Sequence, residues 1–232
     1  MAANRRIIGV DESGKGDFFG PLVVAAFWCS AGDQPALREM GVRDSKRIAE
    51  AKLLTIADRL LPVYPHSIIV YQPEEYNRRY AIIKNLNKLL AEGHARAIAE
   101  IVADHPADLA ISDKFGKPEL VEQALRKLSV DIELRQFVRG EEILPVAAAS
   151  ILARAVFVRE MRKLSTHYRM DIPRGAGTIV DEAGRKIAAT QPPQIFDRIA
   201  KTHFKNYRRI VNPSLDLDGS RPGSGRDTGT LT

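Results

Sequence analysis

RIIGV (6–10), Asp11, the glycine-rich ESGKGDFFG (12–20) and PLVVAAFWC (21–29) follow one another near the start of the chain. The two apolar runs are rich in β-branched residues and predict a pair of strands, with a charged turn between them where chemistry can sit. Further along, apolar positions at helical spacing from Arg47 to Leu61 predict an amphipathic helix that Pro62 stops. HSIIVYQ (66–72) reads as a strand. Pro73 then opens a helical stretch that resumes from Leu86 to Asp104. ADLAISD (107–113) predicts a strand, Glu119 to Leu128 a helix, and DIELRQFV (131–138) an alternating strand. A small-residue helix over Pro145–Leu164, a turn-rich DIPRGAG (171–177), a helix over Val180–Ala189 and a basic helix over Gln194–Arg209 complete the reading. The expected fold class is α/β: a mixed sheet flanked by helices, with a helical C-terminal part. Residues 1–212 form one domain in this reading, and the aperiodic, Gly- and Ser-rich 213–232 a disordered tail.

Composition narrows the function classes. The 232 residues suffice for one sizeable domain, and 44% hydrophobic residues suffice for its core. A net charge of +6 suits a polyanionic partner, although many soluble proteins carry a mild basic excess. Cys29 is the only cysteine, which excludes an intramolecular disulfide or a Cys-based zinc site and fits a reducing, cytoplasmic setting. The apolar run before Asp11 is too short for a signal or a membrane span, so no membrane association is expected.

Gly9 to Gly16 has the GxxxxGK spacing of a nucleotide-binding P-loop. That loop needs Ser or Thr after the lysine and then a helix, whereas here Gly16 follows and a strand is predicted. Asp11 and Glu12 would also place two negative charges inside a phosphate cradle, so nucleotide hydrolysis is the disfavoured alternative. The same carboxylates suit a divalent cation, which takes hard oxygen ligands and bridges to phosphate. Neighbours on an ideal strand point to opposite faces, so both should reach one site only if the chain twists out of regular extension, which Gly14 and Gly16 ease. A lone Asp-Glu pair is more often a solvated acidic turn.

The whole string DESGKGDFFGPLVVAA (11–26) closely resembles the first signature of the type 2 and type 3 ribonucleases H, and its FFGP portion the type 3 branch, ribonuclease HIII. VRDSKRI (42–48), a strand ending in Asp113, AAASILAR (147–154), IPRGAG (172–177) and AKTHFKNYR (200–208) match further motifs in family order. The resemblance runs from Ile7 to about Arg208. It implies a ribonuclease H-like sheet and an endoribonuclease that hydrolyses the RNA strand of RNA–DNA hybrids, removing hybrids during replication and repair. It also implies four catalytic, metal-holding carboxylates: Asp11, Glu12, Asp113 and a fourth shortly before the alanine-rich helix. There the chain offers Glu141, preferred because it directly follows Arg139-Gly140, with Glu142 as fallback. The implied cofactor is Mg2+ or Mn2+, two ions during catalysis. Two metals roughly 3.5–4 Å apart can stabilise both the attacking and the departing oxygen of an in-line displacement, leaving 5′-phosphate and 3′-hydroxyl ends. No protein nucleophile is then required.

Telling RNA from DNA requires contact with the 2′-hydroxyl, and Gly14-Lys15-Gly16 is suited to it: glycines let the backbone approach, while Lys15 holds a neighbouring phosphate. Ser45 and Lys46 resemble a phosphate-contacting motif, though the same residues also suit helix capping. Ser150 matches a position facing nucleic acid, while its alanine neighbours allow close helix packing. Arg174, Lys201, Lys205, Arg208 and Arg209 form a basic group able to grip a backbone or to serve as a solvated face. His66, His94, His105 and His167 show no metal-ligand spacing, His203 is given no catalytic role, and Trp28 and Cys29 read as core.

Type 3 members commonly carry an N-terminal substrate-binding domain before the core, yet the first carboxylate here is residue 11. The expectation is therefore a chain without that domain, binding hybrid more weakly and with more salt sensitivity; a monomer is expected as well. The type 2 branch uses a tyrosine to recognise a single embedded ribonucleotide. The IPRGAG region has none, so cleavage within runs of ribonucleotides is expected, and type 2-like excision of single ribonucleotides is the alternative reading, ahead of nucleotide hydrolysis.

Overall fold

The structure, a computed structural model, describes residues 5–212; the tail assigned to 213–232 lies outside them. Strands β1 (Arg6–Ser13), β2 (Leu22–Ser30), β3 (His66–Tyr71), β4 (Leu109–Asp113) and β5 (Leu134–Phe137) form one sheet in the order β3-β2-β1-β4-β5. The β1-β2 and β2-β3 pairs are antiparallel, and β4 runs parallel to both β1 and β5. The sheet is therefore mixed, as the pattern of strands and helices predicts, with each predicted strand present and β4 and β5 trimmed at their ends.

Helices cover both faces. On one side lie α1 (Gln34–Glu39), α2 (Glu50–Leu60) and α6 (Leu144–Tyr168); on the other lie α3 (Pro73–Ile83), α4 (Leu86–Asp104) and α5 (Glu119–Lys127). Alternation along β1 divides its side chains accordingly: Ile8 and Val10 join the core under α4 and α5, while Ile7 packs with Val146 of α6. The run Pro145–Ala153 of α6 is buried on every side, the mark of a helix enclosed by protein. Its small residues let it lie close against β1 and β2. The predicted helix over Pro145–Leu164 runs on to Tyr168, where Arg169 caps it with φ 50°.

Two predictions need correction. The helix expected from Arg47 begins only at Glu50: Ser45–Arg47 is a single 3-10 turn, and the Asp44 carboxylate accepts from the Lys46 amide at 3.0 Å. The basic helix expected over Gln194–Arg209 is two short helices, α8 (Phe196–Ile199) and α9 (Lys205–Val211), following α7 (Thr178–Ala188). Between them Ala200 leaves helical geometry to bridge Phe19, and Lys201 turns into the interior with no exposed surface. Helical periodicity cannot register this, because a backbone pairing outside the segment causes the break. α9 is seated on α7 by buried Asp181, which accepts from Asn206 at 2.6 Å and from Arg209 Nε at 2.7 Å.

Candidate active site

β1 and β4 run side by side, and their parallel register pairs Val10 with Ser112. Asp11 and Asp113 come next in step, at the carboxyl ends of both strands, where open α/β sheets place their ligands. β1 continues as a regular strand through Asp11, Glu12 and Ser13, in register with Ala25, Val24 and Val23 of β2. The twist out of extension expected for this pair does not occur. Glu12 shares a face with Ile8 and Val10 and reaches His94 on α4; Asp11 takes the opposite face and lines the cleft with Ser150 of α6. Both still line one cleft because it lies around the end of the sheet rather than on either face.

That cleft, of about 270 Å³, is lined by Asp11, Glu12, Ser13, Lys15, Ser45, Lys46, Asp113, Glu141, Ser150 and Arg154. Glu141 arrives on the 3-10 turn Gly140–Glu142, which is fastened to β4 by a 2.9 Å bond from the Gly140 amide to Asp113 Oδ1. A Cβ at Gly140 would lie 2.8 Å from the Asp113 Cα, so this approach requires glycine. Glu142 points away, 61% exposed on its side chain, toward Arg139 at 3.7 Å. Of the two glutamates, Glu141 alone lines the cleft.

Cations sit on two of the carboxylates. Lys15 Nζ is 2.7 Å from Glu12 Oε1, and Lys46 Nζ is 3.0 Å from Glu141 Oε1. Lys15 follows a turn at Gly14, whose φ of 89° and close approach to the Pro21 carbonyl suit glycine alone. Glu12 is also held by His94 Nε2 at 3.0 Å; a carboxylate can only accept, so Nε2 carries the proton. Burial pushes Glu12 up, but His94 and Lys15 together outweigh it and hold its carboxyl below the usual range. Asp11 is pushed the other way, to about 7, first by burial and then by the charge of Glu12, against a hydrogen bond from Ser150. Two adjacent carboxylates thus face opposite electrostatic conditions.

The predicted residues divide clearly. Asp11, Glu12, Lys15, Ser45, Lys46, Asp113, Glu141 and Ser150 come together on the cleft, and Gly14 and Gly16 flank Lys15. Ser45 and Ser150 are buried in its floor with their hydroxyls 2.9 Å apart, each the other's partner. Arg174 lies away from it, bonded to Glu50, and Lys205 and Arg208 are exposed on α9. Lys201 and Arg209 leave the supposed basic group, one buried and the other bound to Asp181. His94 and Arg154 were missed. Arg154 donates to the Ser45 carbonyl and follows Ser150 by one helical turn, a spacing that could have revealed it. His94, wholly buried amid the apolar face of α4, carries no sequence signal beyond being a polar residue out of pattern.

The four carboxylates do not close on a single point: among the described residues no group of three or more His, Cys, Asp or Glu is gathered tightly enough to hold a metal ion. As a donor set they nonetheless suit a hard divalent cation, with oxygen ligands from Asp11, Glu12, Asp113 and Glu141 around one cleft.

Comparison with known proteins agrees with the family that the motifs resemble. The family model for ribonuclease HII matches residues 8–207. Ribonuclease HIII of Chlamydia pneumoniae is 42% identical over 208 residues, 88% of this chain and 70% of that protein. Ribonuclease HIII of Chlamydia abortus is 41% identical over 215 residues, covering 90% and 71%. A crystal structure of Bst-RNase HIII in complex with Mn2+ superposes with a TM-score of 0.83 at 32% identity, over 95% of this chain and 72% of that one. With its motifs gathered at the end of a mixed sheet and its likeness extending over most of its length, the chain belongs to the ribonuclease HII family, in the ribonuclease HIII branch.

Proposed function

We propose that this protein hydrolyses the RNA strand of RNA–DNA hybrids by metal-dependent phosphodiester cleavage, with Asp11, Glu12, Asp113 and Glu141 as the metal-holding carboxylates. The observation that carries this reading is the meeting of those four side chains with Lys15 and Lys46 on one cleft at the sheet end. Bound divalent ions, Mg2+ or the Mn2+ named for the Bst relative, would supply Lewis-acid stabilisation of the attacking and departing oxygens. The chain's own residues do the rest. Asp11 and Glu12 present carboxylates from opposite faces of β1, and Asp113 and the Gly140–Glu142 turn hold theirs in fixed relation through the Gly140 amide. Lys15 and Lys46, each on a long stem, exchange their carboxylate partners for phosphate as a hybrid enters. Gly14 and Gly16 bring backbone groups to the minor groove, where the 2′-hydroxyl distinguishes RNA. Products carry 5′-phosphate and 3′-hydroxyl ends.

The same reading places the protein in the cytoplasm as a monomer, acting on hybrids left by replication and repair. Among the described residues no helix is long and apolar enough to cross a membrane. The test is cleavage of a labelled hybrid by wild type and Asp113→Asn with Mg2+, Mn2+ or EDTA. Metal-dependent cutting that the variant loses is expected; no cutting by wild type in either metal would overturn the proposal. A duplex with one embedded ribonucleotide, included alongside, should be cut poorly.

A further inference from the structure

Lys201 is among the most buried side chains of the protein, with no exposed surface, yet its ammonium group is not bonded to a carboxylate. Nζ donates instead to two backbone carbonyls, Asp17 O at 2.8 Å and Gly20 O at 2.7 Å, and lies 5.7 Å from the centre of the Tyr76 ring. Both carbonyls belong to the segment that follows Gly14-Lys15-Gly16. A methionine would fill similar space without the cost of burying a polar group. What the lysine adds is geometry, since it curls two carbonyls three residues apart toward one point.

The surrounding backbone completes the fastening. The Lys201 amide donates to Phe18 O at 2.8 Å, the Gly20 amide donates to Ile199 O at 2.9 Å, and Phe19 bridges Ala200. On the other side the Asp17 carboxylate accepts from the Gly175 amide at 2.6 Å, and the Phe18 amide donates to Gly175 O at 2.8 Å. Asn77 of α3 anchors the strip itself, donating to Ala200 O at 2.9 Å and accepting from the Thr202 amide at 3.0 Å. The loop that carries Lys15 is thus tied at its far end to a strip anchored on α3, while Gly16 has open space around it.

We propose that Lys201 is a positioning residue that sets the shape in which the Gly14–Gly20 loop meets the hybrid, and so governs substrate affinity without touching substrate. This rests on the reading that Gly14-Lys15-Gly16 contacts the hybrid. Its two carbonyl bonds need only two N–H donors, which the amine supplies as well as the ammonium. Burial holds Lys201 well below the ordinary lysine range, at about 7, so the clamp operates in both protonation states near neutrality.

The test is Lys201→Met, which keeps the volume and removes the donors, followed by separate measurement of KM and kcat on a labelled hybrid and by amide hydrogen exchange. The expected result is a KM raised about tenfold with kcat changed by less than about twofold, because affinity rather than the carboxylate geometry is altered. Exchange should quicken in residues 14–20 while β1 and β4 stay protected. Lys201→Gln, which retains an N–H₂ donor one atom shorter, should recover part of the KM. A folded Lys201→Met with unchanged KM overturns the proposal, as does exchange that quickens evenly through the domain. If Lys201→Met does not fold, Lys201→Gln carries the test by itself: KM should still rise several-fold with kcat nearly unchanged, and an unchanged KM again overturns the clamp. Failure of wild type to cut any hybrid would sink the functional reading alone, leaving the exchange pattern to decide on the clamp.

Discussion

The carboxylate cleft and the Lys201 clamp both bury ionisable groups, and they treat them in opposite ways. In the cleft, acidic groups crowd together, Asp11 against Glu12 at the sheet end, and the cations that relieve them sit on flexible stems open to solvent: Lys15 is 46% and Lys46 75% exposed on its side chain. At the clamp a single amine, divided between charged and neutral forms near pH 7, is sealed in and satisfied by neutral carbonyls of a neighbouring loop. Movable counter-ions around buried like charges describe a site built to exchange partners with a ligand. A sealed amine with fixed partners describes a fastening.

The largest expected effect lies in the cleft. Glu141→Gln should lower kcat on a hybrid by about a thousandfold, or ~4 kcal/mol, at saturating Mn2+. A folded Glu141→Gln enzyme with full turnover would break the distinction, since Glu141 would then be only another partner for a surface lysine. Next comes His94, which holds Glu12 from behind and touches Phe115, with ring centroids 4.7 Å apart. His94→Gln should weaken Mn2+ binding by about ten- to a hundredfold, as loss of an orienting partner to a ligand does. Calorimetric titration of Mn2+ without substrate checks it, and unchanged affinity would mean that His94 serves packing alone.

The clamp should declare itself in stability rather than turnover. The folded state holds Lys201 down at about 7, against an ordinary value of 10.5, so the unfolded chain binds the extra proton between those limits. Stability from this group is therefore complete above about 10.5 and is lost as pH falls through about 7, with a slope of at most ~1.4 kcal/mol per pH unit between. Subtracting the denaturation curve of Lys201→Met from that of wild type at successive pH values isolates the slope; parallel curves would show that Lys201 keeps its proton when buried. The smallest effect is expected at Glu142, which points to solvent. Glu142→Gln should leave hybrid cleavage within about twofold, less than ~0.5 kcal/mol, and a larger loss would reopen the choice between the two glutamates.

Much of this was legible beforehand because it rests on local rules. Strand and helix types follow from periodicity and from breakers such as Pro62 and Pro73, and the order of motifs from DESGKGDFFG to AKTHFKNYR identified the family before any contact was known. The two ambiguous glutamates show where such reading stops. They are adjacent and chemically alike, and only the close fit of Gly140 against β4 turns one into the cleft and the other out.

The remaining surprises share that cause. Residue type and spacing determined the mixed α/β sheet, and the resemblance carried by the motifs implied the candidate carboxylates and the substrate class, because period and motif both lie along the chain. Tertiary structure decided that Asp11 and Glu12 serve one cleft from opposite faces of an unbroken strand, that His94 stands behind Glu12, and that Lys201 is a sealed fastening rather than a surface grip. Each of these depends on a partner dozens of residues away, and no local pattern records which distant backbone a side chain will meet.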